Sequence, residues 1–449
     1  MRFVSAGVVL IGLLSSSLAF AEEAPRKMTL ADCVSEALVR NPDVQTAHDE
    51  IAVAAAQRWE VGGQMFPRLR VEASVQEWGA PYVIQFTPPP APGLTFHDQF
   101  TWTFTAQMIQ PLTPLIPLLE QYHVRDVGVD IAHIRQDVTH RDTAYRVIDT
   151  YYRLLESERL AEVAVTSTDQ LTAQLKQANS FHDSGVVSKD DVLRAELALA
   201  NAKQRAIQTR GQVTLWRARL ATIIGLSPST TIDIVPLASE PNPVSETTLE
   251  RAVASSRNGR VEIRELDERI DQSKVGVRLA WYKMLPAVNL VGAYMHNQQL
   301  ENPTNPANPQ FVELNSVYIG GALSWDVWDF GSSLAGVKEA NAKLREAKTA
   351  RDKVRDQLEL EVREAFLNEG TAIEAMNVAK AAVASAEEHY RLVTKRYEAN
   401  TTTSFDVVDA ESLLTQARAQ LQTSTYDFLI ARAALRRAMG ESPAQQQRP

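Results

Sequence analysis

Residues 404–440 read "SFDVVDAESLLTQARAQLQTSTYDFLIARAALRRAMG". Apolar or small residues fall at Val407, Ala410, Leu414, Ala417, Leu421, Ser424, Phe428, Ala431, Leu435 and Ala438. Alternating steps of three and four over this length form the seam of a coiled coil rather than the broader stripe of a globular surface helix. Residues 189–225, "KDDVLRAELALANAKQRAIQTRGQVTLWRARLATIIG", carry the same seam from Val192 through Ala195, Leu199 and Ala202 to Ile223. A third seam precedes the first, at Met376, Ala379, Val383, Ala386, Tyr390, Val393 and Tyr397. With no proline between 331 and 399, that helix can reach ~100 Å at 1.5 Å per residue. An ordinary globular core has no use for helices of this length.

The two seams belong to a larger repeat. "TLADCVSEALVRNPDV" begins at Thr29 and "TLERAVASSRNGRVEI" at Thr248. Each leads to a Met-x-Pro stop, "MFPRLRV" from Met65 and "MLPAVNL" from Met284, an offset of 219 residues. "GLSP" at Gly225 and "GESP" at Gly440 close the copies at an offset of 215. A near-constant period over most of the chain is the mark of a duplicated plan: helices, two strands, long helix, turn, long helix. The division this predicts is 22–228 for the first copy, 229–247 for a linker, 248–443 for the second copy and 444–449 for a tail.

The strands are read from period-two alternation. "FTWTFTA" (100–106) sets Phe100, Trp102 and Phe104 against threonines, and "VYIGGALSWDVW" (317–328) sets Val317, Ile319, Leu323, Trp325 and Val327 against small or polar residues. "RLRVEASVQEW" (68–78) alternates well and "AVNLVGAYMHN" (287–297) loosely. The predicted strands are 68–82, 96–110, 287–300 and 312–328. Pro-rich "FTPPPAPG" (86–93) and "ENPTNPANPQ" (301–310) lie between the members of each pair, where proline cannot continue a ladder. The helical hairpin tips fall at 182–191 and 397–409. Four strands with one apolar, aromatic face suit the lipid-facing wall of a barrel. Four cannot close one, and an open edge in lipid leaves backbone groups unsatisfied, so the reading requires several copies of the chain around one barrel.

The N-terminus, "MRFVSAGVVLIGLLSSSLAFAEEA", has the charge, short apolar run and Ala19-Phe20-Ala21 site of a secretory signal, residues 1–21. Cys33, the single cysteine, has no partner for an intramolecular disulfide. A net charge of −9 disfavours nucleic acid as a partner. "HRD" at 140–142 has the letters of a kinase catalytic loop but no Asn at 147. No P-loop, His-Glu-x-x-His or Gly-x-Ser-x-Gly stretch occurs either. His133 and His140 can share a helix face, which reads better as a solvated face than as a metal site. No catalytic residue, metal or cofactor is expected. A soluble periplasmic coiled-coil adaptor or structural protein is the alternative, and it leaves the Phe/Trp/Thr hairpins unexplained.

Over nearly the whole mature chain the sequence resembles the TolC-type outer-membrane efflux proteins. The resemblance rests on the doubled plan, on "LADCVSEALVRNPDV" (30–44), on the two Met-x-Pro entries, on the strand-to-helix junction "WDVWDFGSSLAGVKEA" (325–340) and on the tip "RYEANTTTSFDVVDAE" (396–411). Two places depart from it. The first junction, "MIQPLTPLIPLLEQ" (108–121), carries three prolines, and "NGRVEI" follows the second opening. The resemblance implies a mostly α-helical homotrimer with a shared twelve-strand barrel in outer-membrane lipid and a periplasmic α-helical tunnel. It implies an exit duct for tripartite efflux or type I secretion, joined to a periplasmic adaptor and an inner-membrane pump. It also implies a periplasmic constriction at Asp406 and Asp409, with Asp191 the corresponding position in the first copy and Tyr397 in the lock that holds the tip closed. The arginine usual in that lock is replaced by Thr402. The residue types leave a second reading open, since Asp191 and Asp406 also complete capping boxes with Ser188 and Thr403.

Overall fold

The computed structural model describes residues 26–80, 82–84, 94–97, 99–236, 241–299 and 314–441. The signal expected at 1–21, both Pro-rich loops and the tail at 444–449 lie outside the described residues.

After β1 (Arg26–Met28) come α1 (Leu30–Arg40), α2 (Pro42–Gly63), β2 (Arg68–Glu77), β3 (Tyr82–Ile84), β4 (Leu94–His97), β5 (Phe100–Pro111), α3 (Leu115–Asp183) and α4 (Lys189–Ile224). β6 (Ile232–Ile234) leads to α5 (Leu249–Gly259), α6 (Val261–Tyr282), β7 (Ala287–Gln299), β8 (Leu314–Ser324), α7 (Ser332–Glu398) and α8 (Ser404–Ala438). α3 has 69 residues and α7 has 67, so each is ~100 Å long. Every seam position named above is buried or half-buried in α4, α7 and α8, and none is exposed. None of the described helices is long and apolar enough to cross a membrane.

The long helices lie side by side. α3 packs against α2 and α4 on one side and against α6 and α8 on the other, and α7 closes the far side against α6 and α8. The array is therefore one column wide in α2/α4, one in α3, one in α6/α8 and one in α7. α7 and the α2/α4 column are its two flanks. Both flanks expose apolar side chains: Leu193, Leu197 and Ile207 on α4, and Leu360, Leu367 and Val378 on α7.

β2, β5, β7 and β8 form an antiparallel sheet in that order. The register sorts its faces. Leu69, Val71 and Val75 stand opposite Met108, Ala106 and Trp102, while Tyr294 stands opposite both Ala106 and Val317, and Leu323 opposite Val288. Val75, Val317 and Ile319 on this apolar face are 79%, 75% and 80% exposed, far beyond what a water-facing strand tolerates as a contiguous patch. The other face carries Arg70, Glu72, Ser74 and the threonines of β5, with Ser74 hydrogen-bonded to Thr103 at 2.7 Å. Among the described residues the outer edges of β2 and β8 are unpaired.

Strand ends differ from the sequence reading. β2 stops at Glu77, and β3 and β4 form a separate short hairpin beyond it. β8 stops at Ser324, which faces Ala287, the first residue of β7 after Pro286, so Trp325 and Val327 have no partner on the ladder. The Trp325 indole N–H donates instead to the Met284 carbonyl at 3.1 Å. At the first junction the prolines sit where no N–H is needed: Pro111 ends β5, Pro114 caps α3 and Pro117 lies in its first turn. At the second, Asp329 accepts from the amides of Gly331 (3.0 Å) and Ser333 (2.7 Å) and so opens α7. Gly331 has φ +85 and Phe330 φ +53, so the chain turns through the left-handed region there.

The main core gathers both copies at mid-height. Cys33, Val34 and Ala37 of α1 meet Ile148 and Tyr151 of α3, Leu220 and Ile224 of α4, Met376 of α7 and Phe428 of α8. Burial pushes the Cys33 thiol up to about 12, so it stays protonated and inert. The closing "GLSP" and "GESP" have a packing cause. Gly225 (φ +85) ends α4 against the Arg40 carbonyl, 2.5 Å from where a Cβ would stand, and Gly440 (φ +83) ends α8 against Gly259, 2.7 Å away. Asn41 caps α2 through the Asp43 amide (2.8 Å) and donates to Ile223 O (2.8 Å) at the end of α4. In the second copy Arg260 of "NGRVEI" does the second task, donating to Arg437 O (3.2 Å) at the end of α8. The departure at that position keeps the helix end satisfied by a longer side chain.

Candidate functional site

The four residues singled out in the sequence lie at the two helix-to-helix turns. In the first, Gly185 (φ +74) reverses the chain, with Val186 N–H donating to Phe181 O at 2.8 Å. Ser188 then caps α4: its hydroxyl donates to Asp191 Oδ2 at 2.9 Å and accepts from the Asp191 amide at 3.3 Å. Asp191 is therefore engaged as a cap residue. In the second turn Asn400 takes φ +55, and Thr401 N–H donates to Arg396 O at 2.9 Å.

Asp406 is more heavily engaged than its counterpart. Its Oδ2 accepts from the Thr403 amide at 3.0 Å, the Thr403 hydroxyl at 2.8 Å and the Thr402 hydroxyl at 2.5 Å. These three donors, the Thr402 hydroxyl first, hold the carboxyl below its ordinary pKa. The Thr402 hydroxyl thus satisfies this carboxylate without adding charge. Asp409 is exposed, one turn on, and makes no hydrogen bond or ion pair among the described residues. A capping account covers Asp191 and Asp406 and leaves Asp409 without a local task.

Tyr397 joins the two tips. It is 1% exposed, packs with Val393, Val407 and Ala410, and lies 5.5 Å from the ring of Phe181 on α3. Burial raises its phenol pKa, and the Asp191 carboxylate adds to the rise while the nearby Ser404 hydroxyl opposes it. Neither the Tyr397 nor the Ser404 oxygen closes a hydrogen bond of good geometry. Asp191 and Tyr397 thus influence each other across the two copies, while Asp406 lies next to Val407, which packs on Tyr397. Two contacts were not read from the sequence. Phe181 occupies an aromatic position on α3 that the seam pattern could have flagged. Arg194, the residue in Asp409's place in the first copy, pairs with Asp190 at 2.8 Å and lies 5.8 Å over the Phe405 ring of the second. Among the described residues no group of three or more His, Cys, Asp or Glu could hold a metal, and His133 and His140 are part of no such group.

A four-strand sheet with one bare apolar face, standing on paired helical hairpins ~100 Å long, defines a membrane-channel architecture. The outer membrane efflux protein family model matches residues 33–226 and 253–441, and the chain belongs to that family. It is similar to the outer membrane protein TolC of Vibrio cholerae serotype O1, 22% identical over 304 residues, 67% of this chain and 68% of that protein. The curated relatives are matched over 60–68% of their own lengths. Two solved structures share the fold. The outer-membrane channel OprN superposes with a TM-score of 0.76 at 19% identity, covering 93% of this chain and 91% of OprN. The Campylobacter jejuni CmeC outer membrane channel gives 0.75 at 14% identity, covering 99% and 96%.

Proposed function

We propose that three copies of this chain share one twelve-strand barrel in the outer membrane and continue it as a helical tunnel in the periplasm. The assembly serves as the exit duct of a tripartite efflux or type I secretion system, working with a periplasmic adaptor and an inner-membrane pump. The observation that carries this reading is the sheet: one face is mostly apolar and exposed, from Leu69 to Leu323, and both edges, β2 and β8, are unpaired among the described residues. Neither feature is stable in one copy, and a rotation that sets β2 of one chain beside β8 of the next removes both edges at once. The exposed apolar flanks of α4 and α7 support the same closure. The chain's parts on this reading are a cleaved signal at 1–21, copies at 22–228 and 248–443, a linker at 229–247 and a tail at 444–449. No catalytic step is proposed.

Asp406 and Asp409 form the periplasmic constriction in this account. A threefold axis sets six carboxylates round one opening, which favours cations over anions, and Asp191 with Tyr397 holds the two tips together. The free Asp409 supports the acidic ring, because nothing local occupies it. Paired cysteines at facing positions of β2 and β8 test the barrel. Oxidation should link chains into closed trimers; crosslinks that stop at dimers or form open ladders would contradict it.

A further inference from the structure

The first residues of α4 and α8, "KDDVLRAE" (189–196) and "SFDVVDAE" (404–411), match at an offset of 215 and both end in Ala-Glu, and the two glutamates have opposite surroundings. Glu196 of the first copy is exposed. Glu411 of the second is 4% exposed on α8, which packs against α3. Its Oε1 accepts from the Ser167 hydroxyl of α3 at 2.6 Å and from the Thr415 hydroxyl of its own helix at 2.8 Å. Ser167 is itself 6% exposed. Among the described residues no arginine or lysine forms an ion pair with Glu411. A buried carboxylate without a cation is costly, and an apolar side chain of its size would hold two helices together at least as well.

We propose that Glu411 is a positioning residue, a latch with Ser167 that fixes the second helical hairpin against the first and is built to release. With the hairpins closed, the Ser167 hydroxyl satisfies the carboxylate and sets the register of α8 on α3. When α8 moves away, water reaches the carboxylate and repays the desolvation that closure imposed. The hydrogen bond favours the closed arrangement, and the buried charge favours the open one. This balance rests on the reading of the tips as the constriction.

The two partners should therefore fail in opposite directions. Ser167→Ala removes the donor but leaves the charge, and should raise the splayed fraction of tips several-fold. Glu411→Leu removes the charge and should lower that fraction below wild type, because Ser167 can turn its hydroxyl to its own helix. Glu411→Gln keeps an acceptor and should fall between them. The readout is the distance between spin labels at Ser184→Cys and Thr401→Cys, with Cys33→Ser, in chains diluted into an excess of unlabelled ones. Glu411→Met replaces Glu411→Leu if the latter fails to assemble. Ordinary packing residues would loosen the tips in both variants, and shifts in the same direction, or none, would overturn the latch. Bilayer conductance of Asp406→Ala/Asp409→Ala separates the two claims. If it changes while the label distances stay fixed, the constriction stands and the latch falls; if the distances shift as stated while neither the latch variants nor the double variant alters conductance, the latch stands and the constriction falls.

Discussion

Replacing Leu414 with Asp tests the seam that organises the second hairpin. Leu414 is 2% exposed in the middle of the α8 seam. Truncating a buried leucine costs ~2–5 kcal/mol, and leaving a polar group buried without a partner adds ~1–3 kcal/mol. The total, ~3–8 kcal/mol, is comparable with the whole stability of a typical domain, so the hairpin should open locally. Leu421 lies one heptad further from the tip and is half-buried, so the same change there should cost less. The introduced carboxyl also gives a pH signature. Burial raises an acid's folded pKa, so the penalty is full above that value and shrinks as pH falls through it. Thermal melts followed by helical circular dichroism at pH 7 and pH 5, with limited proteolysis across 399–403, provide the assay. Leu414→Asp should melt earlier than Leu421→Asp and recover part of the loss at the lower pH. Wild-type melting and protection in both variants would show that the seam is misassigned.

Asp406→Ala/Asp409→Ala should abolish cation selectivity and raise single-channel conductance at low salt, read from reversal potentials under a salt gradient with and without a trivalent cation; unchanged selectivity and block would place the acidic ring elsewhere. Asp191→Ala should cost roughly 0.5–2 kcal/mol through lost capping of α4, seen as faster amide exchange in that helix's first turn, with little change in selectivity. Arg432→Ala should be the most damaging change at mid-height. Arg432 donates to Val244 O at 2.6 Å and faces the buried Glu369 at 3.5 Å, so its loss strands a buried charge at about 3–5 kcal/mol, measurable as a lower melting temperature and as cleavage within 241–247.

Much of this architecture is written in local patterns. The seams of α4, α7 and α8 were legible because a three-four step over seven to ten positions has no other stable use. The strands were legible because Phe100, Trp102 and Phe104 alternate with threonine. Their ends were not, since Trp325 and Val327 continue the alternation of β8 while its partner β7 begins only at Ala287, opposite Ser324. The pairing that ends β8 is with a strand more than 30 residues away in sequence, beyond any local pattern. The tip residues were legible by type and place, but not the Thr402 hydrogen bond that engages Asp406. Least legible was Glu411. Its letter matches Glu196, and only the packing of α8 against α3 makes one buried and the other exposed.

In the proposed assembly the edges of β2 and β8 are closed by further copies of the same chain. Native mass measurement of the protein extracted from outer membranes in mild detergent tests it most directly. A single species of three chains that persists on dilution is expected. A stable monomer, or a dimer that retains channel activity, would contradict it.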